Sequence, residues 1–152
     1  MASDISNIKL DERSLIRSEK NKNARDRAIT DLIEESDFKI ENLISPYTID
    51  VKIIENKLRL HITPIKNELP HLIEFSLSPF RRIVKDYHVI CESYFDAINN
   101  SDPRKTEAID MGRRGVHNEG AEIVEDMLSQ KVNLDFETAR KIFALIYVLQ
   151  IK

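Results

Sequence analysis

The sequence has little of several features that restrict what a protein can do. Cys91 is its single cysteine, so no disulfide forms within the chain of 152 residues. The longest apolar run covers the eight residues 142–149, whereas a membrane-spanning helix needs about 20. With 23 basic and 26 acidic residues, the chain has no overall field that attracts duplex nucleic acid or an anionic membrane. We therefore expect no membrane contact and no nucleic-acid partner.

Common catalytic and cofactor motifs are also missing. The chain has no glycine-rich phosphate loop, no dinucleotide fingerprint, no Gly-x-Ser-x-Gly elbow and no Cys-x-x-Cys pair. His88 and Cys91 lie three apart, but a structural zinc site needs four ligands. We predict neither a metal nor a cofactor. Residues 1–5 lack the basic and apolar regions of a secretory signal, so we expect a cytoplasmic protein.

The first half of the chain has the pattern of a β-sheet. Apolar residues alternate with polar ones in short stretches, which is typical of half-buried strands. Four such stretches precede residue 78: residues 6–10, 47–53, 58–62 and 72–77. The loop at 55–57 is short enough for a hairpin. Residues 24–35 carry apolar side chains on one helical face, and Asn23 is a candidate N-cap.

From residue 78 onward the apolar spacing is helical. Ser78-Pro79 and Asp102-Pro103 each place an N-cap residue before a proline, and Asp135 begins a third helix. Apolar residues at intervals of three and four predict the buried face of the first helix: Phe80, Ile83, Val84, Tyr87, Cys91, Tyr94, Phe95 and Ile98. Residues 142–149 are apolar on all sides, which predicts a central helix, buried within the monomer or against a second copy.

These patterns predict an α+β fold. We expect an N-terminal antiparallel sheet of about four strands with one early helix, followed by a layer of three C-terminal helices. The length suits one domain over residues 1–152, strand-rich over 1–77 and helical over 78–152.

All three glycines fall within the segment 107–120, at positions 112, 115 and 120. Glycine in a helix is less favourable than alanine by about 0.5–1 kcal/mol, so close packing, a helix break or ligand access must compensate. On a continuous helix, Gly112 and Gly120 lie on an apolar stripe, where small residues let a neighbouring helix approach. Gly115 lies off that stripe and has no such explanation.

The same segment gathers groups suited to proton transfer and anion binding. One sector of the helix holds five of them: Glu107, Asp110, Arg114, His117 and Asn118. His117, Asp110 and Glu107 are the candidate catalytic residues, because a histidine beside a carboxylate exchanges protons near neutral pH.

Arg113, Arg114 and Asn118 are candidate ligand-binding residues of this segment, since arginine binds phosphate or carboxylate with two parallel hydrogen bonds. Arg113 leans toward the apolar stripe and needs a buried acidic partner or an anionic ligand. The alternative is structural: Asp110 and Arg114 form a surface pair worth about 0.2–0.5 kcal/mol, and His117 is solvated.

A second candidate for anion binding lies at the start of the first C-terminal helix. Arg81, Arg82 and Lys85 fall in its first turns, where the helix dipole disfavours cations but attracts an anion. With Ser78 they predict a phosphate site with Arg81 and Arg82 as ligand-binding residues. The alternative is a solvated face on which Arg82 pairs with Asp86.

Three stretches of the chain resemble an alphaproteobacterial family, uncharacterised protein family 0262. They are residues 76–94, 107–120 and 135–149, and residues 31–35 match it more loosely. The resemblance covers essentially the whole chain and implies a bacterial cytoplasmic protein, without implying any activity.

An arginine followed shortly by a histidine in a helix is also similar to the catalytic motif of the helical nuclease domains called HEPN. Those domains are all-helical and space the two residues more widely than Arg113 and His117, whereas this chain begins with strands.

Two functions remain as hypotheses. The first is a non-enzymatic interaction or regulatory module with a protein partner or a second copy of the chain, and the absence of strong catalytic motifs favours it. The second is a small anionic-ligand or phosphoester site, nuclease-like, on the segment 107–120. There Arg113 and Arg114 hold the anion, and His117 moves a proton with Asp110 or Glu107.

Overall fold

Six strands and four helices make up the part of the chain that the structure, a computed structural model, describes, namely residues 3–11, 21–66 and 69–150. The strands are β1 (Ile5–Leu10), β2 (Phe38–Lys39), β3 (Tyr47–Ile54), β4 (Lys57–Pro64), β5 (His71–Ser76) and β6 (Asn133–Leu134). The helices are α1 (Lys22–Glu34), α2 (Arg81–Asn99), α3 (Pro103–Leu128) and α4 (Phe136–Gln150), and a short 3-10 helix, Ser78–Phe80, precedes α2. The α+β prediction is confirmed.

The main sheet has the strand order β1-β3-β4-β5 and is mixed. The hairpin of β3 and β4 and the antiparallel pairing of β4 with β5 are as predicted. The difference is β1, which pairs parallel with β3. Parallel strands need a long crossover connection, and α1 lies within the connection between β1 and β3. The predicted strands and helix were therefore correct, but the sheet is not purely antiparallel.

One face of the sheet is covered by α4, and this contact forms the main core. The alternation on β3 and β4 buries Ile49, Val51 and Leu60 on that face. Their partners on α4 include Ile142 and Ile146, and sheet and helix together enclose a small apolar cavity of about 30 Å³. The prediction of a central last helix is thus confirmed, and the helix is buried within the monomer. That residues 1–152 form a single domain stays a prediction.

Two of the four N-cap residues that the sequence predicted do cap a helix. Asp102 accepts a hydrogen bond from the Lys105 amide (3.2 Å), and Asp135 accepts one from the Thr138 amide (2.8 Å). Ser78 instead begins the 3-10 helix and does not cap α2 with its side chain. Asn23 lies inside α1, which begins at Lys22. Two of the predicted caps were therefore wrong.

The far end of α2 is exposed, contrary to the predicted buried face. Tyr87 is buried, but Phe95 is 62% and Ile98 45% exposed. The reason is where α4 crosses α2. Tyr147 of α4 contacts His88, and Gln150, at the end of α4, lies beside Arg81 and Lys85 in the first turns of α2. The end of the α2–α3 hairpin, residues 94–110, therefore extends beyond the element that covers the rest. We call it the hairpin end.

None of the helices in the described ranges is long and apolar enough to cross a membrane.

Candidate functional site

The segment 107–120 lies wholly within α3, which runs unbroken through all three glycines. A Cβ added to Gly120 would lie 2.5 Å from the Phe143 ring of α4. A Cβ added to Gly112 would lie 2.9 Å from Cδ1 of Ile90 on α2. Close helix packing therefore explains these two glycines, as the spacing predicted. Gly115 has no such neighbour within 4 Å and stays unexplained.

Asp110 is the acidic partner that Arg113 requires. Nη2 and Nε of Arg113 donate to Oδ1 of Asp110 at 2.6 and 3.1 Å, and Nη2 of Arg114 lies 3.1 Å from Oδ2. The hydrogen bond from Arg113 lowers the pKa of the Asp110 carboxyl. The Arg113 guanidinium also lies 4.9 Å from the centre of the Tyr94 ring, a cation–π contact. One carboxylate thus binds both arginines of the segment.

His117 is half-buried between three helices and is bonded through both ring nitrogens. Its Nε2 lies 2.8 Å from the Arg140 carbonyl oxygen, which has no proton, so Nε2 must be the donor. Its Nδ1 then accepts from the Tyr87 hydroxyl at 3.3 Å, and the Phe143 ring packs beside it. Burial lowers the pKa of His117 and favours the neutral imidazole. This geometry is that of a structural histidine.

Asn118 joins the same helices. Its Oδ1 accepts a hydrogen bond of 2.7 Å from Nη1 of Arg140 on α4. Asn118 and His117 therefore both fasten α3 to Arg140, one through the side chain and one through the carbonyl oxygen.

The candidate catalytic residues share a helical sector but are separated along the axis. Glu107 and His117 are ten positions apart, which is about 15 Å of helix, and Asp110 and His117 are seven apart, which is about 10 Å. Glu107 is exposed and lines an open depression with Asp110 and Tyr94. The structure therefore groups Glu107 with Asp110 and places His117 elsewhere.

At the start of α2 the structure separates the two predicted ligand-binding arginines. The side chain of Arg82 is 92% exposed and pairs with Asp86 at 3.6 Å. Arg81 instead lines a groove together with Lys85 and His88. The geometry of Arg82 thus matches the interpretation as part of a solvated face. Arg81 remains a candidate ligand-binding residue.

His88 and Cys91 both contact the last turn of α4. His88 Nδ1 lies 2.8 Å from the Tyr147 hydroxyl, and its Nε2 lies 3.0 Å from Glu92. Burial raises the pKa of the Cys91 thiol, which favours the unreactive protonated form. Among the described residues, no group of three or more His, Cys, Asp or Glu side chains is arranged to hold a metal ion.

The structure also assembles a polar cavity that no sequence pattern indicated. Its volume is about 420 Å³, and its lining comes from three distant segments: residue 4, residues 35–39 and residues 135–141. Asp4, 6% exposed, accepts from the Phe38 amide (2.7 Å), the Ser45 hydroxyl (2.7 Å) and the Lys39 ammonium (3.1 Å). Burial alone would raise the pKa of Asp4, but these hydrogen bonds lower it overall. We assign Asp4 a structural role, because both oxygens of its buried carboxylate already accept hydrogen bonds from within the protein.

Comparison with known proteins identifies the family to which this chain belongs. The model of the uncharacterised protein family UPF0262 matches residues 2–152, so the chain belongs to that family. A UPF0262 protein of Methylobacterium radiotolerans is 42% identical over 151 residues, which are 97% of this chain and 93% of the relative. One of Caulobacter vibrioides is 44% identical over 147 residues, 95% and 91% of the two chains.

Rhizobial relatives match over a shorter range. A UPF0262 protein of Rhizobium johnstonii is 48% identical over 123 residues, 80% of this chain and 78% of the relative. These names carry no activity, and the relatives are mostly alphaproteobacterial, as the resemblance implied. No solved structure matches the chain.

Proposed function

We propose that the protein is a cytoplasmic, non-enzymatic interaction module that contacts a protein partner through the hairpin end. The observation that carries the proposal is the exposure of Phe95 (62%) and Ile98 (45%) on a face of α2 that is covered elsewhere along the helix. Large apolar side chains grouped on an exposed surface are typical of protein–protein contacts. Phe95 also packs edge-on against Tyr94, with ring centres 6.1 Å apart, so its position is partly fixed before binding.

The charges around the hairpin end indicate the chemistry of the partner. Four acidic residues lie between positions 92 and 107, against two basic ones: Glu92, Asp96, Asp102 and Glu107, against Arg104 and Lys105. All six are exposed. A partner with apolar side chains flanked by lysine or arginine would complement this surface. We expect such a segment to cover Phe95 and Ile98.

The geometry of the segment 107–120 favours this function over a phosphoester site. Arg113 is bonded to Asp110, and His117 and Asn118 are bonded to Arg140. A general base must lie within hydrogen-bond reach of the group that it deprotonates, and the imidazole of His117 has both nitrogens engaged inside the protein. We infer that these residues hold the three helices together.

Site-specific crosslinking tests the proposal. A photoreactive benzophenone amino acid at position 95 keeps an aromatic ring there, and the same group at Leu72, 49% exposed on β5, is the matched control. We expect irradiated cells to give one specific protein adduct from position 95 that position 72 lacks. The purified partner should then bind wild type and bind Ile98→Asp about tenfold or more weakly, because a charge replaces a buried apolar contact.

Three results would contradict the proposal. These are the same adducts from positions 95 and 72, equal binding of the partner to wild type and Ile98→Asp, or an adduct between two copies of this chain. The last result would assign the hairpin end to a homodimer.

A further inference from the structure

The groove beside the first turns of α2 has the size of a ligand site. Its volume is about 410 Å³, within the range of roughly 300–1,000 Å³ that small-molecule sites occupy. Three parts of the fold form it: Asn56 in the β3–β4 turn, the α2 face that carries Arg81 and Lys85, and Gln150 at the end of α4. The groove is therefore bounded on several sides and is not simply one face of a helix.

The groove presents cations that have no acidic partner. Arg81 and Lys85, four residues apart, lie on one side of α2 and both line the groove. Within the described residues neither forms an ion pair, whereas the adjacent Arg82 is paired with Asp86. None of the described residues that line the groove is acidic. Two cations held side by side without a counter-charge favour the binding of an anion.

The walls of the groove are fixed by hydrogen bonds. Asn56 accepts from the Leu77 amide at 2.9 Å, and its side chain donates to the Ser78 hydroxyl at 3.1 Å. These bonds hold the β3–β4 turn against the start of the helical layer. At the inner end, His88 is fixed by Tyr147. A ligand therefore meets walls that are already in place, which lowers the entropy lost on binding.

The cationic side chains, and not the helix N-terminus, must bind the anion. The Phe80 amide donates to the Leu77 carbonyl, and the Arg81 amide donates to the Ser78 carbonyl. The first amides of this helical segment are thus engaged. The guanidinium of Arg81 and the ammonium of Lys85 are the available donors.

We propose that this groove binds a small organic anion whose phosphoryl or carboxylate groups lie between Arg81 and Lys85. The amides of Asn56 and Gln150 face the polar remainder of the ligand, and Leu77 and Val84 supply the apolar floor. A bounded groove on a chain of net charge -3 suits a small anion better than a nucleic acid. This proposal is independent of the hairpin end and of its partner.

Titration of the purified protein with two probes tests the proposal. Inorganic pyrophosphate represents a phosphoryl ligand and citrate a polycarboxylate, each added at constant ionic strength set with potassium chloride. The readout is the position of the Asn56 and Gln150 side-chain amide signals in NMR spectra. We expect at least one probe to shift both signals to saturation, and the probe that binds more tightly assigns the chemical class of the ligand.

Variants decide whether the binding belongs to the groove. Arg81→Gln with Lys85→Gln should weaken the binding about tenfold or more, because each removed contact is a charge-assisted hydrogen bond. Arg82→Gln is the matched control, since it removes one charge from the same turn outside the groove, and it should bind as wild type does. The backbone amide spectrum of each variant checks that it is folded.

Two results would overturn the proposal. One is the absence of a saturable shift with either probe. The other is equal weakening by Arg82→Gln and by Arg81→Gln alone, which would show that general attraction of anions to a basic surface explains the binding.

Discussion

Two regions of the helical layer carry similar charged side chains and use them differently. In the segment 107–120, Asp110 binds both arginines and His117 is bonded on both nitrogens. At the start of α2, Arg81 and Lys85 have no ion-pair partner in the described residues. In the first region the charged groups pair with one another or bond to α4 and α2, whereas in the second they face a groove. Residue type and helical face therefore do not distinguish a structural network from a binding surface. The role of a charged side chain depends on which helix or strand packs beside it.

The largest expected difference in stability is between a substitution at His117 and one at Lys85. We expect His117→Ala to lower the free energy of unfolding by about 2–4 kcal/mol, because it leaves a cavity and removes the partner of the Tyr87 hydroxyl and the Arg140 carbonyl. Lys85→Ala should stay within about 0.5 kcal/mol of wild type, as surface substitutions do. Urea unfolding of the three proteins measures both. Losses of similar size would remove the distinction between the two regions.

The glycines allow the same comparison within one helix. Gly120→Ala should lower the free energy of unfolding by about 1–3 kcal/mol, because the new methyl group overlaps the Phe143 ring. Gly115→Ala, with open space around it, should raise it by about 0.5–1 kcal/mol through helix propensity. Thermal unfolding followed by circular dichroism gives both values. A destabilised Gly115→Ala would mean that Gly115 serves a purpose that the packing of one chain does not show.

A smaller effect is expected in the pH dependence of stability. Burial lowers the pKa of His117, so the unfolded chain, with a value near 6.5, binds a proton more readily than the folded protein. The neutral His117 imidazole therefore contributes fully to the free energy of unfolding above about pH 6.5. This stabilisation is lost as the pH falls through 6.5 towards the pKa of His117 in the folded protein. Unfolding midpoints of wild type should fall more between pH 7 and pH 5 than those of His117→Gln. Parallel profiles would contradict a buried neutral imidazole.

Much of the fold could be predicted because strands and helices have local signals. Alternation located β3, β4 and β5, and prolines after Ser78 and Asp102 marked where the helical layer and α3 begin. The direction of β1 had no local signal of its own, since it depends on the path of the connection through α1. The exposure of Phe95 was missed for a related reason, because periodicity shows which face of α2 is apolar but not where along α2 the covering helix crosses it.

The candidate sites were harder to predict for a geometrical reason. A helical wheel shows angles but not the rise along the axis, so it placed Glu107 beside His117 although about 15 Å of helix separates them. The cavity at Asp4 combines residues more than 100 positions apart and has no pattern within any one stretch. The glycines at 112 and 120 were interpreted correctly, because close packing depends on a single helical face.

The parallel pairing of β1 with β3 has a consequence for the order in which the chain folds. β3 and β4 are joined by the two residues Glu55 and Asn56, so their ends meet with little loss of entropy. Ile8 must instead reach Ile49, about forty positions away, and contacts between distant residues form slowly. We therefore expect strand β1 to join a β3–β4 hairpin that has already formed. Until it does so, the edge of β3 is open to pairing with another nascent chain.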